Sequence, residues 1–150
     1  MKFFPESTLH QLEFDKIKEM LAAHCRNDYA RIKALNLRIH TKKEFIEREL
    51  SQSNEYKIIL QSGQYFPNDF PNNISRDLKL LSIQGASLSG DQFLLLRRLA
   101  ENAGNIFRWF DAERRTANPA LSKVIEQVYY EKQIRESIDE IVDETGHVKD

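Results

Sequence analysis

Ser89-Gly90-Asp91-Gln92-Phe93-Leu94-Leu95-Leu96-Arg97-Arg98-Leu99-Ala100-Glu101-Asn102-Ala103-Gly104-Asn105-Ile106-Phe107-Arg108-Trp109-Phe110 is the stretch that decides the fold. It opens on a capping box, in which a serine side chain and a glutamine three residues later satisfy each other's backbone donors at a helix start. Phe93, Leu96, Leu99, Ala100, Ala103, Ile106, Phe107 and Phe110 then recur at steps of three and four, which places them on one helical face. The spacing predicts a helix over about 90–112. Leu94 and Trp109 fall on the opposite arc, so this helix needs either a second helical layer or a partner on that side.

The same logic extends in both directions. Toward the N-terminus, Phe14, Ile17, Met20, Leu21, His24 and Cys25 share an arc and predict a helix over about 12–25. Asn27 or Asp28 can cap a short second helix. Thr41 with Glu44 forms a capping box for a third over about 42–62, where Phe45, Ile46, Leu50, Tyr56 and Leu60 share a face and Gly63 makes the stop. Residues 64–73 read as the main loop, because proline disfavours helix at Phe66 and Phe70; those aromatics are expected to pin the loop to the core. Ser75 is placed to cap a helix reaching about Ile83 and closed by Gly85. Asn118-Pro119 is a helix start with proline at the first helical position. The stripe Leu121, Val124, Ile125, Val128 is out of phase with Ile134, Ile138, Ile141, which implies a break near Glu131.

Composition agrees with an all-α reading. The 150 residues include only 5 glycines and 4 prolines, too few for a turn-rich β fold. At 41% hydrophobic and 30% charged, the chain is ordinary for a globular protein and long enough for one domain burying roughly 70% of its unfolded surface. Net charge is −1, so the chain as a whole lacks the basic footprint of a nucleic-acid binder. Residues 76–115 carry seven basic and five acidic side chains, whereas 126–150 carry three basic and eight acidic, so the latter stretch repels phosphate. A lone cysteine, Cys25, leaves no internal disulfide and fits a reducing compartment. With no apolar run near 18 residues and no signal segment, a soluble, cytoplasmic protein is expected.

Candidate chemistry is sparse. His10, His24, His40 and His147 lack the close pairing with each other or with cysteine that zinc sites show, and His24 is expected to be a packed helix residue beside a core Cys25. The acidic turn Asp139-Glu140 to Asp143-Glu144 lacks the regular oxygen ligands of a calcium loop. No phosphate-binding glycine loop or nucleophile elbow is present. Catalytic, cofactor and metal residues are therefore expected to be none. The remaining candidate is a basic cluster, Arg97, Arg98 and Arg108, with Arg97 and Arg108 projecting about 20° apart on their helix. Such a cluster can touch phosphate without reading bases, or can simply pair with Glu101 on the same face.

Three segments taken in order carry a resemblance: Leu12-Glu13-Phe14-Asp15-Lys16-Ile17; Ile74-Ser75-Arg76-Asp77-Leu78 through Gly85-Ala86-Ser87-Leu88-Ser89-Gly90-Asp91-Gln92-Phe93-Leu94; and Ile138-Asp139-Glu140 with Gly146-His147-Val148-Lys149-Asp150. They resemble the N-terminal region of the MutS family, specifically the second MutS subfamily, which ends in a Smr nuclease module. The resemblance implies that residues 1–150 are one helical core or lever domain of six or seven helices, a piece of a longer, homodimeric protein. That parent would bind ATP and Mg, contact DNA through a clamp and, in some members, ribosomes or rRNA, and act on mismatches or recombination intermediates. It further implies that phosphate loop, clamp and nuclease lie beyond Asp150, so that the fragment itself is no enzyme and its partners are the clamp and ATPase of its own chain. The alternative is a free-standing helical interaction module using Leu94 and Trp109 as its partner surface.

Overall fold

The computed structural model describes residues 7–70 and 72–149, apart from the side chains of Leu9 and His10. The expectations for His10, for Pro71 within the main loop and for Asp150 at the end of the closing motif lie outside the described residues. Among those residues the regular structure is helical throughout. Nine helices follow in order: α1 (Thr8–Gln11), α2 (Phe14–Ala23), α3 (Asp28–Leu35), α4 (Lys43–Gln61), α5 (Ser75–Leu80), α6 (Gly90–Trp109), α7 (Ala112–Ala117), α8 (Pro119–Glu126) and α9 (Gln133–Ile141). The all-α expectation holds, and the number exceeds six or seven because α1 and α7 are short extra turns. Among the described residues the only β pairing is an isolated antiparallel bridge between Val142 and Val148. The described residues pack as two compact units, one within Met1–Ile46 and Pro71–Asn73, the other within Glu47–Phe70 and Ile74–Asp150.

In the N-terminal unit the expected first helix, about 12–25, forms as Phe14–Ala23, preceded by the separate short turn α1. Glu13 adopts a left-handed φ of 53°, so α1 ends before it and α2 begins at Phe14. A left-handed residue cannot continue a right-handed helix, so α1 and α2 are separate. The predicted face of α2 does not form a closed core: Ile17 is 54% and Met20 68% exposed, and the buried apolar residues of this unit are Ala22 and Ala34. His24 is corrected from packed to exposed, because it is the C-terminal cap of α2, where the backbone leaves the helix. Cys25 is half-buried, its Sγ 3.4 Å from the Leu21 carbonyl. Asn27 caps α3 as expected, accepting from the Ala30 N–H at 2.8 Å.

The long helix α4 starts one residue later than its capping-box pattern implies, since the first intrahelical bonds run to the Lys42 carbonyl and not to Thr41. Its covered face also differs. Gln52, Glu55, Tyr56 and Ile59 turn inward at heptad spacing, while Leu50 (63%) and Leu60 (57%) stay exposed. The apolar pattern pointed to the wrong stripe because two polar side chains on α4 have specific partners on α8. Asn118 does not cap α8; its Nδ2 donates back to the Arg114 carbonyl at 2.9 Å. Instead the Glu55 carboxylate reaches across, accepting the Ala120 N–H at 2.9 Å and the Leu121 N–H at 2.8 Å. One helix thus supplies the N-terminal cap of another, satisfying two donors that would otherwise be orphaned.

The core of this unit contains Ile59, Ile74, Ala100, Phe110, Ile138 and Val142. The 65–70 segment is fixed from α6: Trp109 Nε1 donates to the Tyr65 carbonyl and Asn102 Nδ2 to the Pro67 carbonyl, both at 2.9 Å. Phe66 meets Tyr56, Trp109 and Phe110 edge-on, with centroids 5.4, 5.1 and 6.1 Å apart, so of Phe66 and Phe70 it is Phe66 whose ring contacts pin the loop to the core. Trp109 is covered by this loop and by the Arg114 guanidinium 4.7 Å from its ring. Asp111 ends the long helix and caps α7 through the Arg114 N–H at 2.8 Å, an element that pattern reading did not resolve from α6. Ser75 is not a cap, because Ile74 holds that position without a side-chain bond.

Candidate functional site

Helix α6 is positioned by its start. The Ser89 Oγ accepts the Gln92 N–H at 3.4 Å, the Gln92 side chain accepts the Ser89 N–H at 2.8 Å, and Gln92 Nε2 also donates to Asp77 at 2.6 Å. The expected capping box is therefore formed and tied to α5. A turn after α9 closes against this same helix end. Asp143 Oδ1 accepts the His147 and Thr145 N–H groups at 2.9 and 2.8 Å and the Thr145 hydroxyl at 2.8 Å. The His147 N–H bond, followed by the Thr145 hydroxyl, holds the Asp143 carboxyl below the ordinary carboxylate range. Gly146, at φ 89°, comes so close to Gly90 that a Cβ on Gly90 would overlap the Gly146 carbonyl oxygen. The acidic turn is a folded packing element.

The three candidate arginines separate. Arg97 Nε is 2.6 Å from Asp139 Oδ1 on α9, so its charge is used between helices. Arg98 is exposed and lines, with Leu94, Arg97, Glu101 and Glu144, a shallow recess of about 160 Å³. Arg108 is exposed, hydrogen-bonded to Asn105 Oδ1 at 2.6 Å, and lines a different groove. Glu101 faces Arg135 at 3.6 Å. Arg97 and Arg108 share a helical face, as the spacing predicts, but they line separate recesses.

The larger groove, about 650 Å³, is bordered by α6, the 127–132 connection and α9. Its floor is the stacked pair Phe107 and Tyr130, with centroids 5.4 Å apart. Tyr130 lies directly over Gly104: a Cβ there would meet its hydroxyl at 2.6 Å. Lys132, paired with Glu136 at 2.8 Å, and Arg135, 3.4 Å from Asp139, stand on the rim. The Lys132–Glu136 pair raises the Lys132 pKa. Beside the groove the Tyr129 hydroxyl donates to Glu131 at 2.6 Å, which lowers the Glu131 pKa and raises that of Tyr129. Sequence reasoning did not assemble this groove. Its one legible signal is Gly104, a glycine inside a strong helix pattern, which commonly marks a close approach.

Among the described residues no group of three His, Cys, Asp or Glu side chains is placed to hold a metal ion, and no helix is long and apolar enough to cross a membrane.

No family model matches the chain, and no solved structure matches it. Curated relatives do. The chain is 29% identical over 145 residues, 97% of its length, to a protein named Endonuclease MutS2 from Aquifex aeolicus (strain VF5). It is 25% and 24% identical over 120 residues, 80% of its length, to proteins of the same name from Lactococcus lactis subsp. lactis (strain IL1403) and subsp. cremoris (strain MG1363). The chain spans 18% of the Aquifex protein and 15% of each of the others. The resemblance to the second MutS subfamily drawn from the three ordered motifs is thus met by similarity along nearly the whole chain.

Proposed function

We propose that residues 1–150 serve as the helical core or lever portion of a MutS-like, DNA-binding ATPase, with a mechanical role between nucleotide site and DNA clamp. The observation that supports this most is continuous similarity to Endonuclease MutS2 proteins over 80–97% of the chain, at 15–18% of their length. A second support is the hydrogen-bonded coupling of helix to helix. Glu55 of α4 caps α8, Arg97 of α6 binds Asp139 of α9, and the 143–147 turn seats on the start of α6. Directional contacts of this kind make packed helices move together and not slide independently. In this reading the chemistry resides elsewhere in a longer cytoplasmic homodimer that uses ATP and Mg and binds mismatched or recombining DNA or ribosomes. Residues 1–150 would contact those ligands through the parent's clamp and ATPase.

The experiment is an activity assay on the purified chain with ATP, supercoiled plasmid and Mg or Mn. No turnover above the buffer rate is expected. Metal-dependent hydrolysis of ATP or DNA that tracks the pure protein would overturn the reading.

A further inference from the structure

The groove between α6, the 127–132 connection and α9 carries more hydrogen-bond donors than the protein uses. Arg108 gives one N–H to Asn105, a neutral partner. Arg135 stands 3.6 Å from Glu101 and 3.4 Å from Asp139, beyond the 2.7–2.9 Å of a charge-assisted hydrogen bond, and forms no hydrogen bond among the described residues. The Tyr130 hydroxyl, held over Gly104, has no hydrogen-bond partner among them either. Both rim carboxylates are already engaged, Glu136 by Lys132 at 2.8 Å and Asp139 by Arg97 at 2.6 Å. The lining therefore offers two guanidinium groups and a phenol above an aromatic floor, with a surplus of one positive charge among its ionised residues. Its volume, about 650 Å³, lies in the range of pockets that enclose a compact ligand.

We propose that this groove docks a short acidic–aromatic peptide segment of a protein partner, its carboxylate taken by Arg108 and Arg135 and its ring laid on Phe107 and Tyr130. Charge complementarity selects a single carboxylate over a nucleic-acid strand. The lining's surplus of one positive charge matches one carboxylate, whereas a strand must place several phosphates. Gly104 supports a built site. Glycine inside a helix is destabilising relative to alanine, and here its missing Cβ is what lets Tyr130 form the floor.

The test titrates the 15N-labelled 150-residue chain with N-acetyl-aspartyl-phenylalanyl-leucine amide, its asparaginyl analogue and a ten-residue thymidine oligonucleotide. The aspartyl peptide is expected to bind in the millimolar range, shifting the amides of Gly104, Phe107, Tyr130 and Arg135. The asparaginyl analogue and Arg108→Glu should each bind about tenfold more weakly, while Arg98→Glu, in the separate recess, should bind unchanged. Tyr130→Phe keeps the floor and loses a donor, so it should retain the ring-dependent part of the shifts. No shifts with the aspartyl peptide, equal binding by Arg108→Glu, or preferential occupancy by the oligonucleotide would each overturn the proposal.

Discussion

Replacing Glu55 is the most informative perturbation of the fold, because one side chain joins α4 to the start of α8. In wild type its two oxygens accept the N–H groups of the second and third residues of α8, Ala120 and Leu121, at 2.9 and 2.8 Å. Asn118, at the capping position, gives no side-chain cap and is committed to the Arg114 carbonyl. No local group can therefore substitute. Loss of an N-terminal cap costs about 0.5–2 kcal/mol, and loss of the favourable charge at the helix start costs a further ~0.3–1 kcal/mol. Glu55 is half-buried, so water replaces part of the loss. Glu55→Ala should then destabilise by about 2 kcal/mol, and Glu55→Gln, which keeps one acceptor oxygen and loses the charge, by about 1 kcal/mol. Urea unfolding followed by Trp109 fluorescence reads the unit that contains both helices. With m on the order of 1–3 kcal/mol per molar urea, Glu55→Ala should lower the midpoint by about 1 M at unchanged m. A midpoint within error of wild type for both variants, or equal losses for Gln and Ala, would refute the cross-capping argument.

Gly90→Ala and Gly104→Ala should diverge by circular dichroism melting: Gly90→Ala is destabilising by several degrees because its Cβ meets the Gly146 backbone. Gly104→Ala should be near neutral in stability, since Tyr130 can swing its ring aside, giving up the groove floor, while α6 gains helix propensity. Trp109→Phe keeps the ring cluster and loses the bond to the Tyr65 carbonyl, so about 1 kcal/mol of stability should go, measured by urea unfolding followed by circular dichroism. The pH dependence of the 143–147 turn follows from Asp143, whose folded pKa is depressed. Its contribution is fully present above the ordinary aspartate value of about 3.9 and is lost as pH falls through the lower folded value. An NMR titration should show the His147 amide moving with the Asp143 carboxyl below that value, and a midpoint at or above it would contradict the assignment.

What was legible in the sequence follows physical scale. Contacts three and four residues apart appear in the chain itself: the Ser89–Gln92 box, the Asn27 cap and the phase break before α9 all formed where the spacing placed them. Pairings between helices did not appear. Nothing near Asn118 signals that Glu55, over sixty residues earlier, will cap α8, and consequently the covered face of α4 was misassigned. His24 was misplaced because periodicity predicts a face and not whether that face is covered. Its stripe on α2 remains largely exposed. Helical angle places Arg97 and Arg108 on one face of α6 with Arg98 further round, yet Arg108 lines a recess separate from that of Arg97 and Arg98. The recesses they line are set by α9 and the 127–132 connection, whose approach to α6 only Gly104 foreshadows.

The central claim, a mechanical role within a MutS-like machine, is tested most directly by transplantation. Residues 1–150 would replace the aligned segment of the Aquifex aeolicus Endonuclease MutS2, where the alignment covers 97% of this chain. ATP turnover by the chimera is then measured with and without branched DNA. The account predicts that any change DNA produces in the parent's turnover is reproduced in the chimera, and that Glu55→Ala within the graft weakens this response while ATP and DNA each still bind. A folded chimera that binds both ligands with parental affinity, yet whose ATP turnover is indifferent to DNA, would contradict it.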